Sequence, residues 1–188
     1  MARWQPDARS RLAEAALALY GERGFEGTTV AEIAERAGLT KRTFFRHYAD
    51  KREVLFSGSE ELEAAIAGGV RGAPASAAPL DAVLAGLDAT APFFVDRWEH
   101  ARRRQEIIEA NPELQERELT KMSRLADAVA EALRERGVED PAAELTAAAG
   151  MAVFSSAFAR WLGAPDVGAG LGPLLHEGAR ALRAVALA

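Results

Sequence analysis

The chain has 188 residues, 49% hydrophobic and 27% charged, with a formal net charge of −5 and no cysteine. That composition fits a soluble globular protein of one large or two small domains. It excludes disulfides and thiolate metal sites and agrees with a reducing, cytoplasmic setting. The opening segment MARWQPDARSR lacks the apolar run of a signal peptide. No apolar stretch is expected to reach the ~18 residues of a membrane span.

Ala and Leu are abundant, β-branched residues are few, and apolar residues recur at intervals of three and four. The period predicts an all-α fold of about nine helices. The first helix is expected from Asp7 to Glu22, with the stripe Leu12, Ala15, Ala16, Leu19, Tyr20 and Gly24 as its stop. Thr29 and Glu32 form a T-x-x-E capping box that starts the second, which ends near Ala37–Gly38. Thr40 caps the third. Asp50 and Glu53 make a further capping box, predicting a fourth helix to Ile66.

The stretch GGVRGAPASAAP, residues 68–79, has no helical period and predicts a linker or loop. Domains are accordingly expected at 1–57 and 58–188. After it come predicted helices from Leu80 to Thr90, from Pro92 to Ala110 and from Pro112 to Arg136. Two more follow, from Pro141 to Leu162 and from Leu171 to Leu187.

Charge is uneven. Residues 1–57 hold ten Lys and Arg against eight Asp and Glu, although the whole chain is acidic. Between Thr40 and Arg52 five cations (Lys41, Arg42, Arg46, Lys51, Arg52) meet one acid, Asp50. Val30, Ile33, Ala34 and Ala37 form one apolar helix face. Ala34 is small enough for a second helix to cross closely, and Gly38 can adopt the positive φ of a tight turn. This is the spacing of a helix-turn-helix. With Phe44 and Tyr48 facing inward, Arg42 and Arg46 fall at about 160° and 200° on a wheel of ~100° per residue. Lys41 and Phe45 flank them on one side and Thr43 on the other. A helix that enters the major groove needs such a face, and arginine can donate two hydrogen bonds to guanine. Lys51 is expected to clamp a phosphate. The bland alternative is an ordinary solvated face.

Residues 25–56, FEGTTVAEIAERAGLTKRTFFRHYADKREVLF, resemble the N-terminal domain of the tetracycline-repressor (TetR) family of bacterial transcription regulators. The likeness extends from Ala8 to Phe56 and includes the G-F-x-x-T-T entry, the A-G-x-T turn and the aromatic-His-aromatic end. It implies a homodimer that binds a palindromic operator and carries a separate C-terminal ligand-binding and dimerisation domain. It also implies that Thr29, Thr40, Lys41, Arg42, Thr43, Arg46, His47 and Lys51 occupy DNA-contacting positions. Position 45 is often Tyr in this family and here is Phe45, whose ring can pack on sugar or a thymine methyl but cannot hydrogen-bond a phosphate. Position 42 is often Gly and here is Arg42.

In the second half, Phe94, Trp98, Arg102, Met122, Phe154 and Phe158 are candidate ligand-pocket residues, an apolar cavity with a cationic mouth suited to an amphipathic anion. An aromatic and Met stripe at helical spacing is more often core than pocket. Residues 99–137 resemble a subfamily associated with acyl-coenzyme A-like ligands, which implies that Arg102, Arg103 and Arg104 meet phosphates. Alternatively they pair with Glu99, Glu106 and Glu109. Gly150, Ser155, Ala159, Gly178, Ala181 and Leu182 are candidates for an isologous dimer interface, or else close the monomer core. His47, His100 and His176 show no metal-ligand spacing, and no nucleophile elbow or phosphate loop occurs. The reading is therefore a regulator, not an enzyme, with no cofactor. A helical scaffold that does not bind DNA is the alternative.

Overall fold

The computed structural model describes residues 7–94, 97–164 and 170–186. Among them the regular structure is all helical: α1 Ala8–Arg23, α2 Val30–Arg36, α3 Lys41–His47, a 3-10 turn Glu53–Phe56, α4 Ser59–Gly72, α5 Pro79–Asp88 and α6 Ala91–Phe94. Then follow α7 Trp98–Glu109, α8 Pro112–Glu135, α9 Ala142–Gly163 and α10 Gly172–Ala186. Leu187 and the first six residues lie outside the described residues. The chain divides into two compact units. One comprises the residues up to Gly58 together with Arg102–Glu118; the other comprises Ser59–Ala101 together with the residues from Leu119 onward.

In the first unit, α1 is capped by the Asp7 carboxylate, which accepts from the Ser10 N–H at 2.8 Å. The capping box of α2 forms in both directions between Thr29 and Glu32. Leu12, Ala16, Leu19, Ile33, Ala34 and Phe44 make the core, each at most 2% exposed. Ile108 and Leu114 belong to the same core, which ties the end of α7 and the start of α8 to this unit.

The expected fourth helix is split. Asp50 does accept from the Glu53 N–H at 3.2 Å. The Glu53 side chain, however, does not reach back; it accepts two hydrogen bonds from Arg117, at 2.8 and 3.0 Å. One 3-10 turn follows, and Gly58, at φ 88°, turns the chain before α4 begins.

In the second unit α4 packs along α5, and α9 packs against α5 and α10. The expected linker at 68–79 is half helix, because α4 continues to Gly72. Gly69, within that helical half, serves close packing against α5. A Cβ on Gly69 would lie 2.7 Å from the Gly86 Cα, and one on Gly86 would lie 2.5 Å from the Ile66 carbonyl. The helix expected over 92–110 is likewise two helices, α6 and α7. Contrary to the sequence expectation, α9 is long and apolar enough to cross a membrane. It is nonetheless a packed helix here, with Ala147, Met151, Phe154 and Trp161 buried in the unit's core.

The glycine contact gives a matched pair of outcomes. Gly86→Val forces α4 and α5 apart and should lower the unfolding free energy by roughly 1–3 kcal/mol in urea denaturation. Gly68→Ala, at a helical site where an added Cβ meets nothing within 4 Å, should raise it by about 0.5–1 kcal/mol.

Candidate functional site

The α2–turn–α3 segment is fixed at both ends. The Leu39 N–H donates to the Ala34 carbonyl at 2.8 Å and the Gly38 N–H to Glu35 at 2.9 Å. Gly38 holds φ 65°, a conformation that a side chain would strain. An Arg11 guanidinium N–H from α1 donates to the Ala37 carbonyl. Thr40 then caps α3, its hydroxyl accepting from the Thr43 N–H at 3.1 Å.

One ring sets the rotation of α3. Phe44 is fully buried, with Tyr48 beside it at 5.6 Å. A helix of 3.6 residues per turn must then turn Lys41, Arg42, Phe45 and Arg46 outward. All four are exposed, while Thr43 and His47 are half-buried. Among the described residues no carboxylate pairs with Lys41, Arg42 or Arg46; Arg46 lies 3.4 Å from the neighbouring His47 ring.

Other described arginines of the unit are engaged. Arg23 pairs with Glu32 at 2.8 Å, Arg36 with Glu22 at 2.6 Å, Arg52 with Asp50 at 2.6 Å and Arg117 with Glu53 at 2.8 Å. These pairs leave their mark on the acids. The Arg36 hydrogen bond holds Glu22 below the usual carboxylate range. Thr29's hydroxyl and N–H do the same for Glu32.

Two further candidate residues make bonds within the unit. Thr29 is taken up by the α2 cap. Lys51 donates to the Phe25, Glu26 and Thr28 carbonyls at 2.8, 3.4 and 3.2 Å and sits 4.3 Å from the Phe25 ring centroid. Its three N–H bonds hold the loop between α1 and α2, and the Lys51 backbone carbonyl accepts from the Tyr20 hydroxyl at 2.6 Å. The sequence offered no sign of this arrangement, because the partners are backbone atoms 23 to 26 residues away.

Arg102 pairs with Glu106 at 3.0 Å, within the first unit. Arg104 donates to the Leu55 carbonyl and to Glu118, each at 2.6 Å. Arg104 and Arg117 lie 5.1 and 5.0 Å from the Phe56 ring, near enough for cation–π attraction.

In the second unit the Phe94 ring lies 5.5 Å from Phe158, 5.7 Å from Trp161 and 6.3 Å from Phe154. Phe154 and Phe158 stack at 5.8 Å. The Trp98 indole N–H donates to the Trp161 carbonyl at 3.0 Å, and Met122 packs on the same core. Ser155, Ala159 and Ala181 are exposed; Gly178 and Leu182 are half-buried. Gly150 is buried, and a Cβ there would lie 2.3 Å from a Val83 methyl.

Lys51→Met removes the three loop bonds and should lower stability by roughly 1–3 kcal/mol. Arg42→Ala and Arg46→Ala should stay within about 0.5 kcal/mol of the parent chain. Chemical denaturation of the three variants compares the loop tie with the open face.

Comparison with known proteins gives this geometry a context. Residues 12–57 match the family of bacterial regulatory proteins, tetR family, and residues 77–186 match the MftR C-terminal domain. The chain is 27% identical over 154 residues to a mycofactocin biosynthesis transcriptional regulator, MftR, of Mycobacterium tuberculosis, covering 80% of this chain and 78% of that one. It is 39% identical over 75 residues to the transcriptional regulator TcmR of Streptomyces glaucescens, 40% of this chain but only 33% of TcmR's length. The crystal structure of Thermus thermophilus FadR, a TetR family repressor in complex with lauroyl-CoA, superposes with a TM-score of 0.57 at 26% identity over 93% of this chain and 92% of that one. With both halves matched and the helix-turn-helix geometry in place, the chain belongs to the TetR family of bacterial transcriptional regulators.

Proposed function

We propose that this regulator is a ligand-released repressor that binds a palindromic duplex operator as a homodimer, with α3 lying in the major groove. The observation that carries the reading is the α3 face. Lys41, Arg42 and Arg46 stand exposed with no carboxylate partner among the described residues, while the arginines around them are paired. Guanidinium groups left open on a groove-sized helix suit guanine edges, and ammonium groups suit phosphates. Thr40, Thr43 and His47 border the same face.

Dimerisation is supported by an outward stripe on α9: Leu145, Ala148, Ala152, Ser155 and Ala159, all exposed. Leu145 is 66% exposed and Val185 on α10 is 78% exposed. Small and apolar residues at helical spacing suit a four-helix contact between two copies. Two copies would present their α3 helices about one DNA turn, ~34–36 Å, apart.

The effector is proposed to be an acyl-coenzyme A-like molecule, its chain lodged among Phe94, Trp98, Met122, Phe154 and Phe158. The aromatic and Met character of that core supports an apolar chain. So does the lauroyl-CoA bound to FadR, which is 26% identical. Such an effector shifts the protein off DNA only through a difference in its affinity for the two states.

Two measurements test these readings. Arg42→Ala and Arg46→Ala should each weaken binding to a duplex selected by the protein from a random library by roughly 1–3 kcal/mol, with the dimer intact by sedimentation. Unchanged affinity in both would overturn the proposed docking of α3. An acyl-coenzyme A at a hundred times its dissociation constant should add ~2.7 kcal/mol to thermal stability. No response across chain lengths would remove this effector class.

A further inference from the structure

Phe45 is 58% exposed, and among the described residues of the first unit it is the one large apolar side chain so exposed. Apolar surface left in water is unfavourable in proportion to its area. Phe44, one residue earlier, fills the core position and so turns position 45 outward; nothing in the fold of the unit requires that the residue there be apolar. Nor does the ring hang loosely. Its edge packs on the Phe44 ring, with centroids 5.5 Å apart and planes at 81°, and Phe44 is held in turn by Tyr48. Phe45 is therefore an apolar plate seated on the core and open on its far side.

Its neighbours identify the occupant. On the same helix the exposed cations Lys41, Arg42 and Arg46 surround it, with Asp50 at some distance along the chain and tied up by Arg52. A polyanion is the complementary partner, and phosphate contacts by these cations bring the ring to the wall of the groove. A phenyl ring has no donor or acceptor, so it cannot read base edges by hydrogen bonding. The major groove offers one apolar feature at base level, the C5-methyl group of thymine. That methyl projects toward the phosphate backbone side of the groove. This suits a residue at about 60° from Arg42 on the helix wheel, at the rim of the reading face and not at its centre.

Resting on the DNA-binding reading above, we infer that Phe45 is a specificity residue that packs on a thymine methyl near the edge of each half-site. The ring thereby discriminates thymine from cytosine and from uracil at that position. Its seat on Phe44 means that it meets the methyl already ordered, with little rotamer freedom left to lose on binding.

The test uses the full chain and a duplex that it recovers from a random-sequence library. Each thymine in the duplex is replaced singly by deoxyuridine, which deletes only the methyl group. Binding is followed by fluorescence anisotropy for the parent chain, Phe45→Ala and Phe45→Leu. At one thymine per half-site the parent should lose roughly three- to tenfold in affinity, the size expected of one buried methyl. Phe45→Ala should bind the thymine and uracil duplexes equally, at the weaker level, and Phe45→Leu should keep part of the difference. Because Phe45 is exposed, both variants should melt with the parent, and melting curves check this. If the duplex binds tightly and no thymine is sensitive, the inference is overturned while the DNA-binding reading stands. If a thymine is sensitive but remains equally so in Phe45→Ala, another group reads the methyl and the inference is again overturned. If the library yields no bound duplex, the DNA-binding reading itself fails, and the inference with it.

Discussion

The burial of Phe44 is the constraint on which the rest of the N-terminal unit depends. A seven-residue helix has little length with which to specify its own rotation. One large ring at zero exposure does so, because turning α3 by a single residue would place Phe45 in the core and Phe44 in water. The cost of that exchange would be the packing of Phe44 against Tyr48 and Phe45. With the rotation set, the side chains opposite the ring become a surface, and their chemistry follows from which residues stand there. The turn before α3 is held just as tightly, by Gly38 at φ 65° and by Arg11 reaching the Ala37 carbonyl.

Around this small unit, charged side chains divide into two groups. Most are used to fasten elements together. Lys51 spans three carbonyls of the α1–α2 loop. Arg117 grips Glu53, and Arg104 grips Glu118 and the Leu55 carbonyl, with the Phe56 ring beside both guanidiniums. Arg104, Arg117, Ile108 and Leu114 make residues 102–118 part of the N-terminal unit although they lie far along the chain. The second group, Lys41, Arg42 and Arg46, fastens nothing by a carboxylate. Arginines held by carboxylates or carbonyls have little to offer a ligand; those left open on an ordered helix do.

Local physics was legible in the sequence, and tertiary physics was less so. The caps at Thr29 and Thr40, the turn at Gly38 and the inward Phe44 follow from residue type and spacing alone, and all are found. The all-α class and the helix-turn-helix were readable for the same reason. The misreadings share one cause, a partner distant in the chain. Residues 68–72 looked like part of a linker, because the close packing of Gly69 against Gly86 is invisible in a composition window. The Asp50–Glu53 box looked like the start of a long helix, but Glu53 is drawn to Arg117, 64 residues on. The run Arg102 to Arg104 carried two readings. Geometry pairs Arg102 with Glu106 and Arg104 with Glu118. One available signal was the apolar trio Ile107, Ile108 and Leu114 beside the Asn111-Pro112 break, a satellite patch within an otherwise charged stretch.

The central claim is that the open cations of α3 form a duplex-DNA surface, and its most direct measurement is affinity for the library-selected duplex as a function of salt. Bound cations release counterions from the phosphates, so the logarithm of affinity should fall linearly with the logarithm of salt concentration, with a slope near −0.9 per phosphate neutralised. A steep linear fall is the predicted result. Absence of binding at low salt, or an affinity indifferent to salt, would contradict the account.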